Sequence, residues 1–132
     1  MASVTASDLI GQAFRRLGVT AEGEQPSAEE ASDALTTLNT MLHGFKADGI
    51  DYAHTDLALS STVNFPDEEL AMVRDLLANE LAPGFSAPVD RIAGAILNAK
   101  RTLQARYTFL LPATLDKAVI VRRNYNDFGT NN

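Results

Sequence analysis

Residues 16–49 read RLGVTAEGEQPSAEEASDALTTLNTMLHGFKADG and decide the fold. The run holds a helix end, an irregular loop, a capped helix start and a second helix stop. Just upstream, Leu9, Ile10, Ala13, Phe14 and Leu17 recur at the spacing of one helical face, and Gly18 follows as the left-handed residue that closes a helix. Arg15 and Arg16 fall in the last turn, where cations meet the negative end of the helix dipole. Gly23 and Pro26 mark the loop. Ser27 and Glu30 form a capping box, and Glu29 and Glu30 suit the positive first turn of the next helix. That helix carries Ala31, Ala34, Leu35, Leu38, Met41, Leu42 and Phe45 on one stripe, with Gly49 as its expected stop. Two helices joined by a loop of about nine residues are expected to pack as an antiparallel pair. The run holds no metal-ligand motif, no nucleophile with a base and no phosphate loop, so its signal is packing rather than chemistry.

The stretch resembles the phage head-to-tail connector family, the adaptors or tail accessory factors also described as packaged-DNA stabilisation proteins. The resemblance rests on Leu17-Gly18-Val19, on Gly23-Glu24-Gln25-Pro26-Ser27-Ala28-Glu29-Glu30-Ala31, and on Ala34-Leu35 through Leu38-Asn39 to Met41-Leu42. It resumes at Phe65-Pro66 and runs through Asn79-Glu80-Leu81-Ala82-Pro83 to Arg106. Larger relatives carry a sizeable β-rich insertion where only residues 50–64 stand here, so the chain looks more like the small helical adaptors of tailed phages.

Composition sets outer bounds. At 132 residues and 45% hydrophobic content, the chain suffices for one domain with a modest core and is too short for two. The absence of cysteine excludes disulfide staples and thiolate metal sites, which fits an intracellular origin. No apolar run has the length of a membrane span, and the start MASVTASD lacks a basic segment ahead of an apolar one, so neither a membrane partner nor a signal peptide is expected. The net charge of −6 is unevenly spread. Residues 1–60 hold nine acids against three bases, residues 61–90 six against one, and residues 91–132 two against seven. A chain acidic in front and basic behind can complement a copy of itself head to tail; a solvated basic end is the plainer alternative. Overall acidity argues against a free-standing nucleic-acid binder.

Residues 50–64 are ambiguous. Thr55, Leu57, Leu59, Ser61 and Val63 alternate with Asp56, Ala58, Ser60 and Thr62, a pattern of one or two short strands, a hairpin, or an extended connection. Phe65-Pro66 followed by Asp67, Glu68 and Glu69 opens a third helix with Leu70, Val73, Leu76, Leu77 and Leu81 on its apolar stripe, ending at Pro83-Gly84. Pro88 opens a fourth, of about twenty residues and roughly 30 Å, with Val89, Ile92, Ala93, Ile96, Leu97, Leu103 and Tyr107 inward. The expected fold is all-α: a four-helix, bundle-like domain over residues 1–112, built as two packed antiparallel pairs with a short extended or hairpin segment between them. Residues 113–132 then form an extended C-terminal arm, or a disordered end.

The sequence offers few catalytic or ligand candidates. His43 and His54 are the only histidines. His43 sits on the second helix as a surface or packed residue, while His54 lies near Asp51 and Asp56, a spacing common in loops without a metal. The carboxylate pairs Glu29-Glu30 and Glu68-Glu69 are explained by helix starts. No catalytic residue, cofactor site or metal site is therefore expected.

The resemblance implies a structural virion protein at the head–tail junction, assembled in the host cytoplasm and not an enzyme. As in relatives, copies would form a ring, a dodecamer, under the portal. The ring extends the DNA channel, retains the packaged genome and presents a platform for the next tail component, a nozzle or tail tube protein. Its partners are the portal protein, its own copies, that tail component, and packaged DNA passing without sequence-specific contact. Family adaptors grip the portal with the C-terminal segment, which here points to Val119, Ile120, Val121, Arg122, Arg123, Tyr125 and Phe128. Two alternatives stay open. One is a small helical DNA-binding protein using Arg91, Lys100, Arg101, Arg106, Lys117, Arg122 and Arg123; the other is a peptidoglycan hydrolase.

Overall fold

The structure is a computed structural model that describes residues 4–21 and 23–108. It is all-α, with helices α1 Ala6–Leu17, α2 Ala28–His43, α3 Asp67–Leu81 and α4 Ala93–Arg106. The arm expected over residues 113–132 lies outside the described residues.

Each boundary has a local cause. Thr5 and Asp8 cap α1 reciprocally: the Thr5 hydroxyl accepts from the Asp8 amide, and the Asp8 carboxylate accepts from the Thr5 amide. Ser27 and Glu30 do the same for α2. At the far end of α1, Gly18 adopts φ 78°, the Val19 amide reaches the Phe14 carbonyl and the Gly18 amide reaches the Arg15 carbonyl. This is a Schellman closure, which needs the left-handed residue that glycine supplies.

The stop of α2 differs from expectation. Regular helix ends at His43, and residues 44–49 continue as successive tight turns. Gly49, at φ 87°, still closes the run as expected of a terminal glycine, because the Ile50 amide reaches back to Phe45 and the Gly49 amide to Lys46. The fourth helix is also shorter than the sequence suggested. A short 3-10 turn, Asp90–Ile92, precedes a regular helix of 14 residues, so α4 is about 21 Å long.

The helices do not form two symmetric pairs. α3 packs against α1, α2 and α4 alike, α1 also packs against α2, and α4 leans chiefly on α3. The helices contribute Ala6, Leu9, Ile10, Ala13, Phe14 and Leu17 of α1, Ala34, Leu38 and Leu42 of α2, Val73, Leu76, Leu77, Ala78 and Leu81 of α3, and Ala99 and Leu103 of α4 to the core, and Phe45, Ile50, Val63, Phe65, Ala82 and Ile92 join it from the connections. Leu97 and Ala93, expected inward, are exposed, Leu97 by 52%. The single-sided support of α4 explains this: a helix with one main neighbour buries a narrow stripe.

Residues 50–64 form an extended connection rather than a hairpin. Among the described residues their one bridge pairs Thr62 with Thr5 in antiparallel sense, supported by hydrogen bonds from the Ala6 amide to Ser61 and from the Val63 amide to Val4. An aromatic cluster pins the segment down. Tyr52 stacks on Phe65 with ring centres 4.4 Å apart, and Phe45 and Tyr107 meet Phe65 edge-on at 6.4 Å.

Leu38 and Leu77 are fully buried where α2, α1 and α3 meet. Leu38→Ala and Leu77→Ala are each expected to lower unfolding stability by about 3 kcal/mol in urea titrations. Leu97→Ala is expected to stay within about 0.5 kcal/mol.

Candidate functional site

Among the basic residues of the DNA-binding reading, the described ones are mostly engaged. Arg91 donates to the Arg16 carbonyl at 2.9 Å. Arg106 donates through Nε to Glu69 at 2.7 Å and through Nη2 to Glu68 at 3.1 Å, and Lys100 stands 3.9 Å from Asp48. Of these four, only Arg101, exposed on α4, has neither a carboxylate within salt-bridge distance nor a side-chain hydrogen bond among the described residues. Lys117, Arg122 and Arg123 lie outside the described residues, as do Val119, Ile120, Val121, Tyr125 and Phe128.

The Glu68-Glu69 pair does more than meet a helix dipole. Glu69 is 2% exposed. It accepts from Arg106 and, at 2.6 Å, from the Tyr107 hydroxyl, while exposed Glu68 takes the other side of the same guanidinium. Burial first, and then the hydrogen bond to Glu69, push the Tyr107 phenol up to about 12. A second buried carboxylate, Asp75, accepts from Arg16 Nε at 3.0 Å and Arg74 Nε at 3.1 Å. Arg16 therefore serves a carboxylate on α3 as well as the end of its own helix.

A cleft of about 210 Å³ opens between α2 and the end of α3. Its floor is apolar, from Phe14, Ala34, Leu81 and Phe85, and its rim is acidic, from Glu30, Asp33 and Glu80. Phe85, partly exposed, packs edge-on against Phe14 at 5.1 Å. Glu30 is occupied by the α2 cap, which leaves Asp33 and Glu80 as the acids available to a visitor. A short, cationic and partly apolar segment is the matching shape and charge.

The histidines meet in a second cluster. His43, at the last position of α2, places Nε2 at 2.6 Å from Asp56 Oδ1, and its ring lies edge-on to His54 with centres 4.7 Å apart. His54 Nε2 lies 2.9 Å from Asn39 Oδ1. The Asn39 side chain is itself fixed by the Leu57 backbone: its amide donates to the Leu57 carbonyl at 3.1 Å and its oxygen accepts from the Leu57 amide at 2.9 Å. Burial holds His54 below the ordinary imidazole value, His43 adds to that, and Asp56 opposes it. The sequence places His54 near Asp51 and Asp56, sets His43 apart, and leads to no expected metal site from either. The structure recruits His43 instead, and Asp51 contributes its backbone amide to the Tyr107 carbonyl. The missed signal is Asn39, four residues and one turn before His43 on α2.

The Tyr107 proton gives a pH dependence with a definite sign. The folded chain keeps that proton up to about 12, whereas an unfolded tyrosine loses it near the ordinary value of 10.0. The resulting stabilisation is complete below pH 10 and is lost as pH rises through 12. Urea midpoints are expected to fall across that window, and Tyr107→Phe is expected to make the decline shallower; Tyr52, also raised by burial, supplies the remainder.

No protein-family model matches the chain, and no curated protein is found as a relative.

Proposed function

We propose that the chain is a structural head-to-tail adaptor of a tailed-phage virion, assembling as a ring beneath the portal. The support begins with the residues that carry the family resemblance. Leu17-Gly18-Val19 is the closed end of α1, Ser27-Ala28-Glu29-Glu30 is the capped start of α2, and Leu38 and Leu42 are its buried face. The motif is thus the grammar of a rigid helical hairpin, which suits a building block.

The observation that carries the ring is a pair of unlike, complementary patches on one chain. α4 presents Leu97, Lys100 and Arg101 to solvent, and the cleft between α2 and α3 offers an apolar floor with Asp33 and Glu80 on its rim. Two different patches that fit each other make a heterologous contact, which closes into a ring when the rotation per subunit allows it. The acidic excess of the described surface suits a channel wall, since it repels the phosphate backbone and lets DNA slide. The arm residues Val119, Ile120, Val121, Arg122, Arg123, Tyr125 and Phe128 are assigned the grip on the portal by the resemblance, which also implies a platform for the next tail component.

Native mass spectrometry of the purified chain mixed with the portal ring of the same phage tests this. A discrete complex with a fixed, ring-like copy number is expected. Arg101→Glu is expected to reduce the copy number bound, and adding Glu80→Lys in the same chain to restore it in part. Deleting residues 113–132 is expected to abolish portal binding while helical content by circular dichroism persists. No complex between folded components overturns the adaptor reading.

A further inference from the structure

We infer that His43, His54 and Asp56 form a binding site for one divalent transition-metal ion of the zinc class, tying the last turn of α2 to the extended segment that follows. The donor atoms of these three side chains all lie within 4.8 Å of one another.

The chemistry of His54 is fixed by its surroundings. A backbone amide can only donate and a backbone carbonyl can only accept, so the Leu57 contacts set which end of the Asn39 amide is oxygen. That oxygen, 2.9 Å from His54 Nε2, can only accept. The proton of the neutral imidazole therefore sits on Nε2, and Nδ1 carries the lone pair. A ring whose second nitrogen donates to a fixed oxygen is the arrangement that orients histidine for a metal. Asn39 plays that orienting part, and it is held by a backbone rather than by a mobile side chain.

His43 and Asp56 complete the set. Their 2.6 Å contact is a hydrogen bond, shorter than the roughly 3.3 Å between two ligands on one tetrahedral zinc, so the pair opens by less than an ångström to admit the ion. Both side chains are exposed, His43 by 55% and Asp56 by 76%, and nothing in the core resists that movement. Three protein donors leave a fourth position for water from the adjoining cleft of about 240 Å³, which exposed Lys46 also lines. Two imidazoles select zinc, cobalt, nickel or copper over calcium and magnesium, which prefer all-oxygen shells. The chain has no cysteine and no other histidine, so its imidazole donors are concentrated here.

The site is independent of the adaptor proposal, and its test uses the isolated full-length chain without an affinity tag. Calorimetric titration with zinc ion is expected to give one ion per chain, and cobalt ion is expected to give the visible absorption of a four-coordinate centre. Thermal melting is expected to rise with zinc and return to its starting point with a chelator. Asn39→Ala is expected to weaken zinc binding about 10- to 100-fold. His43→Ala, an exposed position that leaves the core intact, is expected to abolish the stoichiometric site, while Asp51→Ala leaves it unchanged. Failure of the folded wild-type chain to bind zinc, equal binding of calcium, or undiminished zinc binding by His43→Ala overturns the inference.

Discussion

Two buried carboxylates on α3 locate the other helices. A helix with neighbours on three sides buries positions around most of its circumference, and on α3 these include Glu69 and Asp75 at 2% and 6% exposure. A carboxylate removed from water needs partners, and these draw them from different elements. Glu69 takes Arg106 and Tyr107 from the end of α4, and Asp75 takes Arg16 from the end of α1. Arg91 then bonds the Arg16 carbonyl, tying the entrance of α4 to the exit of α1. The net stability from such pairs is modest, because desolvation offsets attraction and both guanidinium groups reach water. Their effect is on register: a slip of α3 by one residue would strand two buried charges, whereas sliding one leucine past another costs far less.

This division of labour explains what the sequence revealed. The helix ends were legible because caps are local. Gly18 closes α1 and the Ser27–Glu30 box opens α2 within a few residues of their cause. The Thr5–Asp8 box is equally local but carries an aspartate where the usual pattern has a longer acid, and it passed unread. Glu69 and Asp75 could not be read as core residues. Their partners lie 37 and 59 positions away in sequence, and three acids in the first turn of a helix already have a sufficient cause in the dipole. The histidine cluster was hidden for the same reason, since it depends on Asn39 of α2 meeting the backbone of Leu57.

The misread stripe of α4 and the open reading of the extended segment share an origin. Periodicity tells which residues lie on one face but not how many neighbours that face meets. The stripe of α4 was read as wide enough to include Ala93 and Leu97, and the helix meets one principal partner, so its buried stripe narrows to Ala99 and Leu103. Alternation in residues 55–63 suits a strand, but a strand needs a partner of matching length. Among the described residues only the few ahead of α1 pair with it, enough for one bridge. Aromatic packing of Tyr52 on Phe65 then holds the segment in place of a ladder.

The sparse cover of α4 bears on how an assembly of the proposed kind would form. A single face of a 14-residue helix, with one exposed leucine and two cations, falls well short of the roughly 800 Å² per partner that a stable standard interface buries. Charge complementarity across such a contact governs orientation and encounter rate more than affinity. Neighbouring copies would therefore hold each other weakly in free solution. Docked side by side on a preformed ring, the same contacts act at high effective concentration, and weak interactions around a closed circle reinforce one another without any new contact. Under that proposal, a monomer in solution and a complete ring on the portal would be two consequences of one weak, directional surface, with the template rather than the subunit setting the copy number.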